Sequence, residues 1–225
     1  MRRSLSGAPS TLGSVPADRI HLVRHGEVNN PERILYGTLD GYGLTPRGHE
    51  MSLAVAEYLA DFPVSRIVSS PLQRTRETAG PLVEKTGLPL DVDERVIEGD
   101  NAFQGTRVTV KRLVSNPRLW PLLRNPLRPS WGEPFRSIVA RMMEAIDDAW
   151  DSVEEGDVVV LSHQLPIWMV HSHVVGKPLP HLPTRRRCTL GSVTSLAREA
   201  GKWREVDYQE PAKHLLVGAV DLGAV

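Results

Sequence analysis

Ile20-His21-Leu22-Val23-Arg24-His25-Gly26 is the stretch on which the reading of the chain turns. A short, mostly apolar strand runs directly into an arginine, a histidine and a glycine, and the small residue permits a sharp turn. Arg24 and His25 therefore stand at the carboxyl end of a strand, where α/β proteins gather their ligands.

Two more segments repeat this arrangement. Arg66-Ile67-Val68-Ser69-Ser70 reads as a strand. Pro71 then opens a helix that carries Arg74, Thr75, Thr78 and Val83 before Gly87 stops it. Val158-Val159-Val160-Leu161 is a β-branched core strand that ends at Ser162-His163, and Pro166 opens the helix after it. Between these, Thr45 caps a helix with Pro46 at its first position and Met51, Leu53, Ala54, Val55, Tyr58 and Leu59 at helical spacing, ending near Asp61. Leu90 to Asp93 is a third short strand. Glu133 to Val153 returns to helical period through Ile138, Met142, Ala145, Ile146 and Ala149. Gly191 to Arg198 and Trp203 to Tyr208 form a closing hairpin. Strands that alternate with helices predict an α/β fold, a three-layer α/β/α sandwich around a mostly parallel sheet. One domain is expected over residues 18–210, with an irregular pocket-wall insertion at about 99–131. A flexible tail precedes it over 1–17, and a C-terminal tail follows over 211–225.

The bulk numbers exclude several classes. In 225 residues, 27 Lys and Arg balance 27 Asp and Glu, so no global field draws the chain to nucleic acid or to an anionic membrane. Any anion site must be built locally. No apolar run is long enough to span a bilayer, and the start, Met1-Arg2-Arg3, lacks the apolar core of a secretory signal. With a single cysteine, Cys188, these features lead us to expect a cytoplasmic protein without an internal disulfide. His171, His173 and His181 have no accompanying carboxylate at ligand spacing, so no metal is expected. Arg185-Arg186-Arg187, with Arg107, Lys111 and Arg112, reads as locally solvated charge or as a grip on a substrate's anionic tail. Trp120, Trp131 and Phe135 read as packing beneath the insertion.

Arg24, His25, Arg74 and His163 would converge on one crevice beside a helix N-terminus. Two guanidiniums and two imidazoles there suit a phosphate dianion, because forked donors match its oxygens. At this point the chain resembles the histidine phosphatase, or phosphoglycerate mutase-like, superfamily. Its opening motif appears as Leu22-Val23-Arg24-His25-Gly26-Glu27, its second as Ser69-Ser70-Pro71-Leu72-Gln73-Arg74-Thr75, and its third as Ser162-His163-Gln164. Tyr36-Gly37 and Gly43 to Gly48 resemble the family's lead into its first helix. The likeness covers roughly residues 19 to 208.

The resemblance implies His25 as the nucleophile, with Arg24, Arg74 and His163 around the transferring phosphoryl group and no cofactor. It places a general acid after the third strand, within Asp93-Glu94-Arg95-Val96-Ile97-Glu98-Gly99-Asp100. Glu98 is preferred, since Val96 and Ile97 would anchor it; Glu94 is the alternative. The glycines that usually follow this acid are spaced differently here. Asn30 or Asn29 is the candidate for lining the phosphate pocket. The expected activity is phosphomonoester hydrolysis of a small soluble substrate. Two other readings stay open: mutase-type return of the group to substrate, and a phospholigand-binding module without turnover. The chain could be a monomer or a homodimer.

Overall fold

The computed structural model describes residues 17–107, 115–117, 120–121 and 131–221. The expectations for the start of the chain, for Lys111 and Arg112, and for much of the insertion lie outside these residues. Among the described residues six strands are present: β1 (Arg19–Arg24), β2 (Val64–Ser69), β3 (Leu90–Val92), β4 (Asp157–Ser162), β5 (Val193–Glu199) and β6 (Lys202–Gln209). The helices that lie wholly among the described residues are α1 (Pro46–Leu59), α2 (Gln73–Thr86), α3 (Phe135–Asp151) and α4 (Gln164–Val174). The sheet order is β3-β2-β4-β1-β5-β6. β1 to β4 pair in parallel, while β5 and β6 close the sheet antiparallel as the hairpin read from the sequence.

Alternation along the central strands sorts two cores onto the two faces. Ile20, Leu22, Val158 and Val160 pack with Ile138, Met142 and Ile146 of α3 and with Ile167 and Val170 of α4. Val23, Val159 and Leu161 pack with Val55 and Leu59 of α1 and with Ala79 and Leu82 of α2. The result is the three-layer sandwich, with strands buried on both faces because helices cover both. His21 lies at full burial between β4 and β5, bonded through its ring nitrogens to Ser195 Oγ at 2.8 Å and Asp157 Oδ2 at 2.9 Å.

The punctuation behaves locally as its chemistry dictates. Thr45 Oγ1 accepts from Gly48 N at 2.9 Å, capping α1, and Gly87 ends α2 in the left-handed conformation at φ 71°. α4 begins at Gln164, two residues before Pro166, so His163 sits at the cap position. Pro166 falls in the first turn, where a missing N–H leaves no bond unmade.

Gly26 is needed for a reason other than a special turn. A Cβ there would stand 2.5 Å from the carbonyl oxygen of Gly48, and a Cβ at Gly48 would stand 2.1 Å from that of Glu27. The two glycines let the chain after β1 press against the first turn of α1.

The C-terminal segment, expected as a tail from residue 211, is docked as far as Asp221. Ala212 is fully buried against Met51 and Leu190, and Leu215, Leu216 and Ala219 extend that cluster. A 3-10 turn, Lys213–Leu215, carries the chain back toward β1. Among the described residues, no helix is long and apolar enough to cross a membrane.

The glycine pair gives a direct test. Gly48→Ala should destabilise the protein by about 1–3 kcal/mol, because the clash is with backbone that cannot swing away. Gly80→Ala, inside α2 with nothing beyond its chain neighbours within 4 Å of its added Cβ, should cost less, because the helix preference of alanine offsets the crowding of its Cβ against Pro81. Urea denaturation of both variants checks the contrast, and equal effects would sink the close-packing account.

Candidate active site

The register of the sheet brings the two histidines together. Arg24 pairs with Ser162 at the carboxyl ends of adjacent parallel strands, so the residues that follow, His25 and His163, emerge side by side. Their ring centroids are 5.3 Å apart, and both are buried. His25 Nδ1 donates to the carbonyl of its neighbour Gly26 at 2.8 Å. That bond fixes the tautomer and leaves the lone pair on Nε2. Burial, then the charges of Arg74 and Arg24, push the His25 pKa well below its ordinary value, so the ring is neutral at neutral pH.

Arg74 enters from the first turn of α2, where it is all but fully buried. Its Nε donates to His163 Nδ1 at 3.3 Å, its Nη2 to the Gly37 carbonyl at 2.5 Å, and its guanidinium lies 4.8 Å over the Tyr36 ring. Since Nδ1 of His163 accepts, Nε2 carries the proton, and it faces Ser70 Oγ at 2.8 Å. His163 is thus a neutral brace between Arg74 and Ser70, its pKa also driven down by burial first and by Arg74 next.

Arg24 has no exposed surface. Its Nη1 donates to the Cys188 carbonyl at 2.6 Å and to Asp221 Oδ2 at 2.8 Å, and its Nη2 to Asp221 Oδ1. Burial works against its charge, but Asp221 more than offsets this, and the pKa ends above the usual arginine range.

Glu98 is buried, with Oε1 accepting from Gly99 N at 2.9 Å. Burial raises its pKa, although Arg74, Arg186 and Arg24 pull the other way. Its backbone is pinned by Arg141 of α3, which donates to the carbonyls of Arg95 at 2.6 Å and Ile97 at 2.7 Å while forking onto Glu133 at 2.9 Å. Glu94, the alternative acid, is exposed in the 3-10 turn Glu94–Val96.

The two asparagines differ in their surroundings. Asn29 is exposed. Asn30 is buried, but its amide bridges the backbone of Ile34, with Nδ2 donating to the carbonyl at 2.8 Å and Oδ1 accepting from the N–H at 3.2 Å. It shapes the loop that leads to Tyr36. The arginine triplet also divides. Arg187 pairs with Glu205 and stacks 4.3 Å over Tyr208. Arg186 turns inward, with Nε on His181 at 2.8 Å and Nη1 on Gln164 Oε1 at 3.1 Å. It lines a cavity of about 210 Å³ together with Trp131, Phe135, Leu165, His181 and Asp100. His171 is bonded to Glu205 and His181 to Arg186, so the two point to separate partners. Among the described residues no three His, Cys, Asp or Glu side chains gather as a metal site.

Sequence reasoning missed Asp221, Arg141 and Tyr36 as a platform for Arg74. Only Tyr36 left a trace, inside a motif already noted; the other two act from positions remote in sequence.

Comparison with known proteins places this geometry. A family model described as the histidine phosphatase superfamily (branch 1) matches residues 20–211. The protein Rv0525 of Mycobacterium tuberculosis is 45% identical over 195 residues, covering 86% of this chain and 96% of its own length. Among solved structures, YhfR of Bacillus stearothermophilus superposes with a TM-score of 0.71 at 25% identity, over 84% of this chain and 95% of that one. The mycobacterial glucosyl-3-phosphoglycerate phosphatase Rv2419c gives a TM-score of 0.67 at 25% identity, over 86% and 98%. With its histidine pair at the ends of β1 and β4 and its buried arginines, this chain belongs to the histidine phosphatase superfamily.

Proposed function

We propose that the protein is a phosphomonoesterase that hydrolyses a small phosphate ester through a phosphohistidine at His25. The observation that supports this best is the bond from His25 Nδ1 to the Gly26 carbonyl, which leaves Nε2 as a nucleophile in a crevice walled by Arg24, Arg74 and Glu98. The Nε2 lone pair attacks phosphorus in line, and the bond from phosphorus to the ester oxygen breaks. Glu98 gives its proton to the departing oxygen. The resulting carboxylate then takes a proton from water, whose oxygen attacks phosphorus, releasing inorganic phosphate and neutral His25.

Arg24 and Arg74 supply the positive charge that the equatorial oxygens require, so the scheme calls for no metal. His163 steadies Arg74 through Nδ1, and its Nε2–H is the donor a phosphate oxygen would share with Ser70. The cavity beside Arg186, with Trp131, Phe135 and Leu165, suits an ester whose leaving group has an apolar body. Rv2419c is a glucosyl-3-phosphoglycerate phosphatase, and hydrolysis of a phosphate ester is the part of that activity that this site supports for the present chain.

Wild-type protein exposed to p-nitrophenyl phosphate in EDTA and quenched with detergent at alkaline pH should carry phosphate on His25 that survives base and is lost in acid, and His25→Ala should lose both the label and turnover. Activity that persists in His25→Ala, or that disappears with the chelator, would sink the mechanism.

The pH dependence follows from the same groups. His25 must be neutral and Glu98 protonated; burial lowers the first pKa and raises the second, so both conditions hold together in mildly acid solution. kcat/KM should therefore fall as pH rises through the Glu98 pKa, and Glu98→Gln should remove that alkaline limb. The variant should lose roughly 10²–10⁴-fold on an alkyl phosphate. It should lose less on p-nitrophenyl phosphate, whose leaving group departs without a proton. An alkaline limb unchanged in Glu98→Gln would remove Glu98 from the role of acid.

A further inference from the structure

We propose that Asp221 is a positioning residue of the phosphate site, holding one end of the Arg24 guanidinium so that its Nε–Nη2 edge is presented to the phosphate. The inference rests on reading the crevice as a phosphate site, and it adds a residue from outside all three motifs.

An arginine has five N–H donors in a rigid plane. In Arg24 three are used: one on Nη1 goes to the Cys188 carbonyl, and one each on Nη1 and Nη2 go to the two oxygens of Asp221. The remaining two, on Nε and Nη2, lie along a single edge. Nε is buried and has no hydrogen-bond partner. A buried donor left unmet is unfavourable in the free protein, and a side-on pair of N–H groups is the geometry that grips a phosphate with two parallel bonds. The unmet donor thus marks the edge reserved for the ligand.

Asp221 keeps that edge in place. Without a bidentate partner at Nη1 and Nη2, a long side chain at the end of β1 is free to rotate its plane. The carboxylate grips the end of the guanidinium away from Nε and is 38% exposed, so water screens its repulsion of a bound dianion. Its own segment is held by the residues that build the His25 turn. Arg47 Nη1 donates to the Gly218 carbonyl at 2.7 Å, and Val220 N donates to Glu27 Oε1 at 2.7 Å. Glu27 also takes the Thr45 hydroxyl at 2.6 Å, at the cap of α1. Docking of the C-terminal segment and alignment of Arg24 are therefore one structural event.

The test is calorimetric titration of the full-length protein with inorganic phosphate, alongside KM and kcat for p-nitrophenyl phosphate, in wild type, Asp221→Ala, Asp221→Asn and Asp221→Glu. Asp221→Ala and Asp221→Asn should weaken phosphate binding and raise KM by about tenfold, with Asp221→Glu recovering part of the loss. In an Arg24→Lys background, which lacks the forked edge, Asp221→Ala should add no further loss; a merely structural role would still add one. Thermal unfolding identifies any variant that does not fold, in which case the near-isosteric Asp221→Asn decides. Phosphate binding that is unchanged or tighter in folded Asp221→Asn overturns the proposal and makes Asp221 a bystander or an internal competitor. Wild-type protein that binds no phosphate overturns the phosphate-site reading, and this inference with it.

Discussion

Two guanidinium groups, Arg24 and Arg74, are kept almost wholly out of water at the carboxyl edge of the sheet, and this constraint organises everything around them. Taking a charge into a protein interior costs several kcal/mol unless acceptors surround it. Each therefore needs a dedicated set of partners from distant parts of the chain. Arg24 draws on the Cys188 carbonyl and on Asp221. Arg74 draws on the Gly37 carbonyl, the ring of Tyr36 and the imidazole of His163. The same charges depress the pKa of both histidines, adding to the effect of burial, and pull against the rise at Glu98. One arrangement thus creates a positive crevice and keeps a neutral imidazole and a buried carboxyl inside it.

The scaffold meets that constraint through strand register and close backbone packing. Parallel pairing of β1 with β4 sets His25 beside His163, and the third strand of that group, β2, feeds Ser70 and Arg74 into the same edge. The interlocked Gly26 and Gly48 bring the α1 cap against the turn that carries His25. Arg141 gathers the carbonyls of Arg95 and Ile97 and so fixes the run that ends at Glu98. The catalytic candidates sit on short turns, but every turn is anchored to a strand end or a helix first turn, as precise placement requires.

Much of this was legible beforehand because it is local. A strand of mostly apolar residues that ends in Arg24-His25-Gly26 announces its own end, and Thr45-Pro46 announces the start of α1, since capping and φ restriction act within a few residues. The placement of Glu98 was harder to read. Its spacing departs from the family's pattern, and only burial separates it from Glu94. Asn30 was read toward the phosphate because it is polar and near His25, and its amide also ties down the backbone of Ile34. The bonds by which an Asn holds its own loop leave no mark in the sequence.

The sequence by itself determined the layered α/β architecture and the junctions at which Arg24, His25, Arg74 and His163 appear, because periodicity and turn chemistry are properties of neighbouring residues. Only the tertiary structure decided which acid is buried with them, which member of the arginine triplet turns inward, and that the C-terminal segment closes onto the site. The Asp221 carboxylate lies 197 positions from the arginine it grips, and Arg141 lies 44 from the Ile97 carbonyl it holds. Pairings of that range leave no local signature, because they form only when the sheet has brought its strand ends to one edge.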